Sequence, residues 1–287
     1  MSTIHPTAIV SPSAEIGRGV SVGPYSVIES DVRIGDGCQL SSHVVIKRGT
    51  TVGADNRIAE RAILGGLAQH IHAPDEPGQL EIGEGNIIRE QVTIHRALKA
   101  TEVTVIGGHN MIMVGAHIGH DCRIGNHTII VNNVMLAGHV EVHDRAYLSG
   151  AVAIHQFCRV GRYAMVGGLA RIRHDILPFL TVDGETSRAV GLNLVGMRRN
   201  GFSRAEVAQA KEAYRTVYRR GLTWEEICET LGGDFLSGPA AQFHEFLVSS
   251  RRGIIQQRSE SEPATLKLHM AGQDSSDQHV SRARKAG

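Results

Sequence analysis

Residues 115–133, GAHIGHDCRIGNHTIIVNN, place His117, His120 and Asp121 within one short run. A neutral imidazole is the best side-chain base near pH 7, and an adjacent carboxylate can fix its tautomer. The pair His120–Asp121 therefore suits removal of a proton from a hydroxyl or an amine. No serine stands beside it as an evident nucleophile, so direct transfer is favoured over a covalent intermediate. Zinc is the rival chemistry, since His117-x-x-His120 with a third histidine resembles a ligand set.

The elements that hold these residues follow a beat of six. Of the 29 positions stepped by six from Ile4 to Ile172, 26 are Ile, Leu or Val, the exceptions being His70, Glu76 and Ala100. A helix would show a period of 3.6 and a half-buried strand a period of 2. The next residue is often Gly, as at Gly17, Gly35 and Gly119, and four past the aliphatic the residue is small or modest, as at Ala116, Cys122 and Val134. Two inward positions per hexad with a turn between them predict a hexapeptide parallel β-helix over 1–175, three hexads to the coil. Loops are expected near 65–81 and 96–105, where the beat lapses and its phase survives. A connector follows over 176–200, marked by Pro178 and Gly184. A small α-helical domain is expected over 201–255, from the capping boxes Ser203/Glu206 and Thr223/Glu226 and the apolar face Val207, Ala210, Tyr214, Val217 and Tyr218. The polar stretch 256–287 reads as a disordered tail.

With 18 residues to the coil, residues 18 apart share a column. His120, Gly138 and Gln156 stack, as do Asp121, His139 and Phe157, with His155 beside them, His117 at the preceding corner and His95 on the adjacent face. These histidines gather along one edge and form a cleft. They spread along that edge rather than meeting at a point, so no metal is expected. A non-catalytic scaffold or binding module remains the alternative of a different class. Cys122 and Cys158 lie two coils apart, roughly 9.6 Å at the strand spacing, too far for a disulfide.

Bulk properties agree with this reading. Net charge is +1, aromatics make up 4% of the chain and glycines number 33. Small residues and tight turns suit such a composition, and the balanced charge gives no reason to expect nucleic acid. The start, MSTIHPTAIV, is not a secretion signal, and no run approaches the ~20 apolar residues of a membrane span. A soluble, cytoplasmic protein with reduced thiols is expected.

The runs SHVVIK (42–47), REQVTIHR (89–96), AHIGHDCRIGN (116–126), LAGHVEV (136–142), AIHQFCRVG (153–161) and GLNLVGMRRNGFSRAEV (191–207) resemble the acyl-ACP–UDP-N-acetylglucosamine O-acyltransferases that open lipid A biosynthesis. The resemblance covers about residues 4–255 and implies a left-handed β-helix in a homotrimer with clefts between subunits. It implies transfer of an acyl chain, 3-hydroxylated in many members, from acyl carrier protein to the sugar 3-hydroxyl. No cofactor is implied beyond the phosphopantetheine thioester. In this likeness His120 is the general base, Asp121 its orienting partner, and Gly138 the backbone donor to the oxyanion. Gln69, His70, His72, His95, His117, His139, His155 and Gln156 would line the substrate cleft. Asn193, Arg198 and Arg199 would meet the nucleotide or the pantetheine arm. Gly168 falls where the acyl-length ruler sits, leaving room for a longer chain. Arg204, Lys211, Arg215, Arg219 and Arg220 offer a basic surface for acyl carrier protein, and read equally as solvated helix charge.

The chain departs from the family in its first loop. A Gln-Asp-Leu-Lys-like run is here Gln69-His70-Ile71-His72. An Asn-His-Ala stretch and a Pro-Phe ahead of GLN are replaced within GETSRAVGLN, and a Glu just after the Asn is Val195. These changes touch acceptor recognition more than chemistry, so a related amino sugar with a 3-amino group is the second acceptor considered.

Overall fold

The computed structural model describes residues 1–235 and 237–258. Two- to four-residue strands run from Thr3–Ile4 to Arg171–Ile172 and fall in rotation onto three parallel sheets. The first sheet begins with Thr3–Ile4, the second with Ile9–Val10 and the third with Glu15–Ile16. Register follows the 18-residue coil, so Ile118 pairs with Leu136 and Leu136 with Ile154. This is a parallel β-helix.

From Val20 onward a typical hexad buries two side chains, such as Val20 with Val22, Cys122 with Ile124 and Val140 with Val142, all at 3% exposure or less. Fully burying one such aliphatic is worth about 1.5–3 kcal/mol, and every coil repeats it at each face. The glycines after the aliphatics serve close approach. A Cβ on Gly119 would stand 2.9 Å from the backbone of Ala137 and Gly138 in the next coil. The left-handed backbone falls two residues later, and at the corner that holds His120 side chains occupy it: Asp121 at φ 59°, His139 at 60° and Phe157 at 64°.

The two loops span 67–78 and 96–102. Gln79–Ile82 and Val103–Ile106 are strands paired with each other, with Leu80 and Thr104 turned inward and buried. Across the first loop the coil-to-coil separation rises from 18 residues to 30, and across the second to 24. Both insertions are whole hexads, which is why the beat keeps its phase.

Residues 176–200 are more than a connector. Leu180–Val182 extends the first sheet in parallel, Ala189–Leu192 turns back antiparallel, and Leu194–Arg199 forms helix α1. The last coil leaves an apolar end, and Ile176, Leu177, Phe179 and Leu180, all fully buried, close it. Helices α2 (Arg204–Arg219), α3 (Trp224–Asp234) and α4 (Gly238–Val248) pack together around Tyr214, Leu231, Phe243 and Leu247. Both capping boxes form as the sequence spacing requires. Buried Asp175 ties the returning segment down. It binds Arg159 and Ser250, and its backbone pairs with Gly253 and Ile255. The tail expectation falls almost wholly on 259–287, outside the described residues.

Candidate active site

The corner between the second and third sheets assembles the histidines. The strand His117–Ile118 leaves the second sheet through Gly119, His120 and Asp121. One coil on, the same turn holds Gly138 and His139, and the next holds His155, Gln156 and Phe157. Both loops replace this same turn in the two preceding coils, so they project beside His120.

His120 Nδ1 and Asp121 Oδ2 are 2.6 Å apart, with their side chains 12% and 7% exposed. With Nδ1–H donating to the carboxylate, Nε2 is left as the basic nitrogen. The Asp121 carboxylate also accepts the Leu98 N–H of the second loop at 3.2 Å, and the Asp121 N–H donates to Thr104 Oγ1 at 2.8 Å. His120 and the second loop thus hold the carboxylate, while Thr104 holds the backbone of the same residue. Gly138 lies beneath the imidazole, and a Cβ there would stand 2.6 Å from His120 Nε2. No acceptor takes the Gly138 N–H among the described residues. At the third-to-first corner the equivalent donors of Arg18, Gly108 and Asn126 are each capped by a side chain 18 residues on. Gly138 therefore keeps an uncapped backbone donor next to the His120 imidazole.

Around this pair the imidazoles are ordered. His139 Nε2 is 3.6 Å from the same Asp121 Oδ2, and its ring stacks on Phe157 at 4.5 Å. Burial holds the His139 pKa below its ordinary value, as it does for His117. His117 Nδ1 bonds Thr93 Oγ1 at 2.9 Å and its ring meets that of His95 at 5.0 Å. His95 Nδ1 donates to the Leu67 carbonyl, anchoring the first loop. From that loop His70 lies edge-on to His120 at 5.9 Å, and His70 Nδ1 accepts the His72 N–H. Gln69, His72, His155 and Gln156 are exposed. A cleft of about 440 Å³ opens beside Asp121, His139, Phe157 and Glu102.

Not every candidate converges. Gly168 sits at the first-to-second corner, across the second sheet from His120. Asn193 caps α1, accepting the Gly196 N–H and donating to the Tyr163 carbonyl. Arg198 and Arg199 are exposed in its last turn. Asn193 and Arg199 line a different cleft, about 750 Å³, with Tyr147 and Met165 of the first sheet. Within one chain this group is apart from the His120 corner.

Thr93, Thr104 and the Leu98 amide are parts of the site that residue types alone do not reveal. Phe157 was visible as the third member of the Asp121 column, without its stacking role. For a metal, His117 faces Thr93 and His95, so the His-x-x-His pair does not chelate. Among the described residues His120, Asp121 and His139 have ligand atoms within 4.8 Å of one another. The first two of these are hydrogen-bonded to each other, which is the arrangement of a base and its orienter.

Comparison with known proteins follows the same lines. A family model described as UDP N-acetylglucosamine O-acyltransferase, domain 2, matches residues 175–255, and a bacterial transferase hexapeptide model matches 104–138. A protein of Halorhodospira halophila named acyl-[acyl-carrier-protein]–UDP-N-acetylglucosamine O-acyltransferase is 47% identical over 258 residues, covering 89% of this chain and 100% of its own. A protein of the same name from Pseudomonas putida is 45% identical over 258 residues, with the same coverage. The structure of the Francisella novicida UDP-N-acetylglucosamine acyltransferase superposes with a TM-score of 0.86 at 37% identity, covering 93% of this chain and 98% of that one. That of the Moraxella catarrhalis UDP-N-acetylglucosamine O-acyltransferase gives 0.85 at 37% identity, covering 88% and 99%.

Proposed function

The chain belongs to the acyl-[acyl-carrier-protein]–UDP-N-acetylglucosamine O-acyltransferase family, and on that premise we propose how its own residues perform the transfer. The protein is an acyltransferase that moves an acyl group from acyl carrier protein to UDP-N-acetylglucosamine, the first step of lipid A biosynthesis. His120 Nε2 takes the proton of the sugar 3-hydroxyl as its oxygen attacks the thioester carbonyl. The Gly138 N–H donates to the oxyanion of the tetrahedral intermediate. The intermediate collapses by breaking the C–S bond, and the imidazolium returns its proton to the departing thiolate. Asp121 holds the tautomer and stabilises the transient imidazolium. The observation that carries this reading is the 2.6 Å His120–Asp121 bond above an uncapped Gly138 amide.

The outward faces favour a homotrimer. Outward positions of the first sheet include Met111, Ile129, Tyr147 and Met165, and those of the second Ile9, Ile63 and Met135. The third sheet instead shows charged columns, Glu15–Arg33 and Arg123–Glu141–Arg159. Threefold packing of the first face on the second leaves the charged face in water and sets a second copy's Asn193–Arg199 segment against the His120 cleft. There Asn193, Arg198 and Arg199 meet diphosphate or pantetheine phosphate. Gln69, His70, His72, His117, His155 and Gln156 border the acceptor, and Gly168 the acyl chain. On α2, Glu212 pairs with Arg215 and Arg220, leaving Arg204 and Lys211 as the freer cations toward acidic acyl carrier protein. No helix among the described residues is long and apolar enough to cross a membrane, and the cytoplasm, where acyl carrier protein resides, is the proposed location.

The acceptor is tested by mass. With 3-hydroxyacyl carrier protein and UDP-N-acetylglucosamine, the expected product gains one acyl group and loses it in mild base, as an ester does. Turnover only with a 3-amino sugar nucleotide, giving a base-stable amide, would assign the altered first loop to a different acceptor.

A further inference from the structure

The Asp121 carboxylate has two imidazoles within reach of one oxygen. Oδ2 is 2.6 Å from His120 Nδ1 and 3.6 Å from His139 Nε2. The second distance is too long for a hydrogen bond, yet a rotation of the His139 ring by a few tenths of an ångström at its tip closes it. The His139 ring lies flat on Phe157, 11° from parallel, and edge-on to His120 at 5.2 Å. Its backbone is held at φ 60° by the turn, and its side chain, 38% exposed, has room to move along this stack toward Asp121.

We propose that His139 is a positioning residue that decides whether Asp121 serves His120: neutral, it leaves the carboxylate to the base, and protonated, it takes Oδ2 as an ion-pair partner. The inference rests on the reading of His120 as general base. A protonated His139 beside Asp121 gains a charge-assisted bond that the neutral ring lacks. His120 then loses its tautomer lock and its stabilising carboxylate together. One proton on His139 therefore disables the base without touching it. The charged groups facing His139 are Asp121 and His120 at its own corner and Lys99 and Glu102 from the second loop. Arg123, Glu141, Arg159, Asp175 and Arg251 are the other charged groups lining the cleft. Burial lowers the pKa of His139, which agrees with a neutral ring in the working enzyme.

The test is the acid limb of kcat/KM for the whole protein, read between pH 7.5 and pH 5 with saturating acyl carrier thioester. Two protonations that each stop the reaction give a limb that steepens to about hundredfold per pH unit, and one gives about tenfold. The wild type is expected to show the steep limb and His139→Gln the shallow one, with activity at pH 7.5 reduced far less than by His120→Ala. Should His139→Gln fold poorly, Phe157→Leu removes the stack and is expected to move the limb to higher pH. A limb of equal steepness in wild type and His139→Gln, whatever the loss of rate, would overturn the proposal and leave His139 a lining residue. A His120→Ala enzyme that kept its activity would instead overturn the premise, a separate result.

Discussion

His120 and Gly138 are one coil apart and in van der Waals contact, the imidazole of the first lying over the α-carbon of the second. A Cβ built on Gly138 would stand 2.6 Å from both Nε2 and Cε1 of His120. The imidazole and the glycine beneath it are therefore one packed unit. The glycine is required because the ring occupies the space of its side chain, while the φ demand of the turn falls on its neighbour His139.

Gly138→Ala is accordingly expected to push the ring off its place above the amide. A loss on the order of 10²–10³ in kcat follows from misaligned oxyanion and base, with Tm little changed because the surface turn can absorb the shift. Steady-state kinetics with a thermal melt check it. An alanine enzyme of normal kcat would mean that ring and amide do not act together.

Stability should fall on the acid side of neutrality. Burial keeps His117 and His139 below the ordinary value of 6.5 in the folded chain. The unfolded chain then binds more protons as pH drops through that value. Stability from these groups is complete above about pH 7 and is lost as pH falls through 6.5 toward their folded values. Melting curves at pH 7.5 and 5.5 should show a lower Tm at 5.5, and His117→Asn should narrow the gap.

Inside the third-to-first corner, Asn56, Asn86 and Asn110 form a buried ladder. Asn86 Oδ1 accepts the Asn110 N–H at 2.9 Å, and Asn86 Nδ2 donates to Asn56 Oδ1 at 3.0 Å. Asn86→Ala strands a buried amide at about 1–3 kcal/mol and loses the packed side-chain bonds besides. Chemical denaturation should report that loss with kcat unaffected, since the ladder lies across the third sheet from the His120 corner.

Tyr147 faces outward on the first sheet beside Met165, in the cleft that holds Asn193 and Arg199. Tyr147→Glu should split the assembly, read by sedimentation, and abolish activity while each chain stays folded. A monomeric variant with full activity would show that one chain carries a complete site.

The β-helix was legible because every coil repeats the same demand for two inward side chains per hexad. The beat does not reveal where the stack ends. Ile4 keeps the phase yet is 44% exposed, having no coil beneath it. Columns 18 residues apart place His120 over Gly138 and His139 beside Asp121 from sequence alone, since turn geometry is uniform along a corner. The loops were not legible in that way. The approach of His70 to His120 depends on the His95 bond to the Leu67 carbonyl, and the Leu98 clamp on Asp121 is a backbone contact that any residue could make. Asn193 and Arg199 show the other limit, because their motif does not tell that the fold sets them on a different cleft from the His120 corner.

The claim on which the rest depends is that the His120–Asp121 pair removes the acceptor proton. The most direct measurement is thiol release from acyl carrier thioester in a single turnover with UDP-N-acetylglucosamine, comparing the wild type with His120→Ala and Asp121→Asn. Losses of about 10²–10⁴-fold for each variant, with the melting curve preserved, are the predicted result. A folded His120→Ala enzyme that releases thiol at the wild-type rate would contradict the mechanism and return the histidine corner to a binding role.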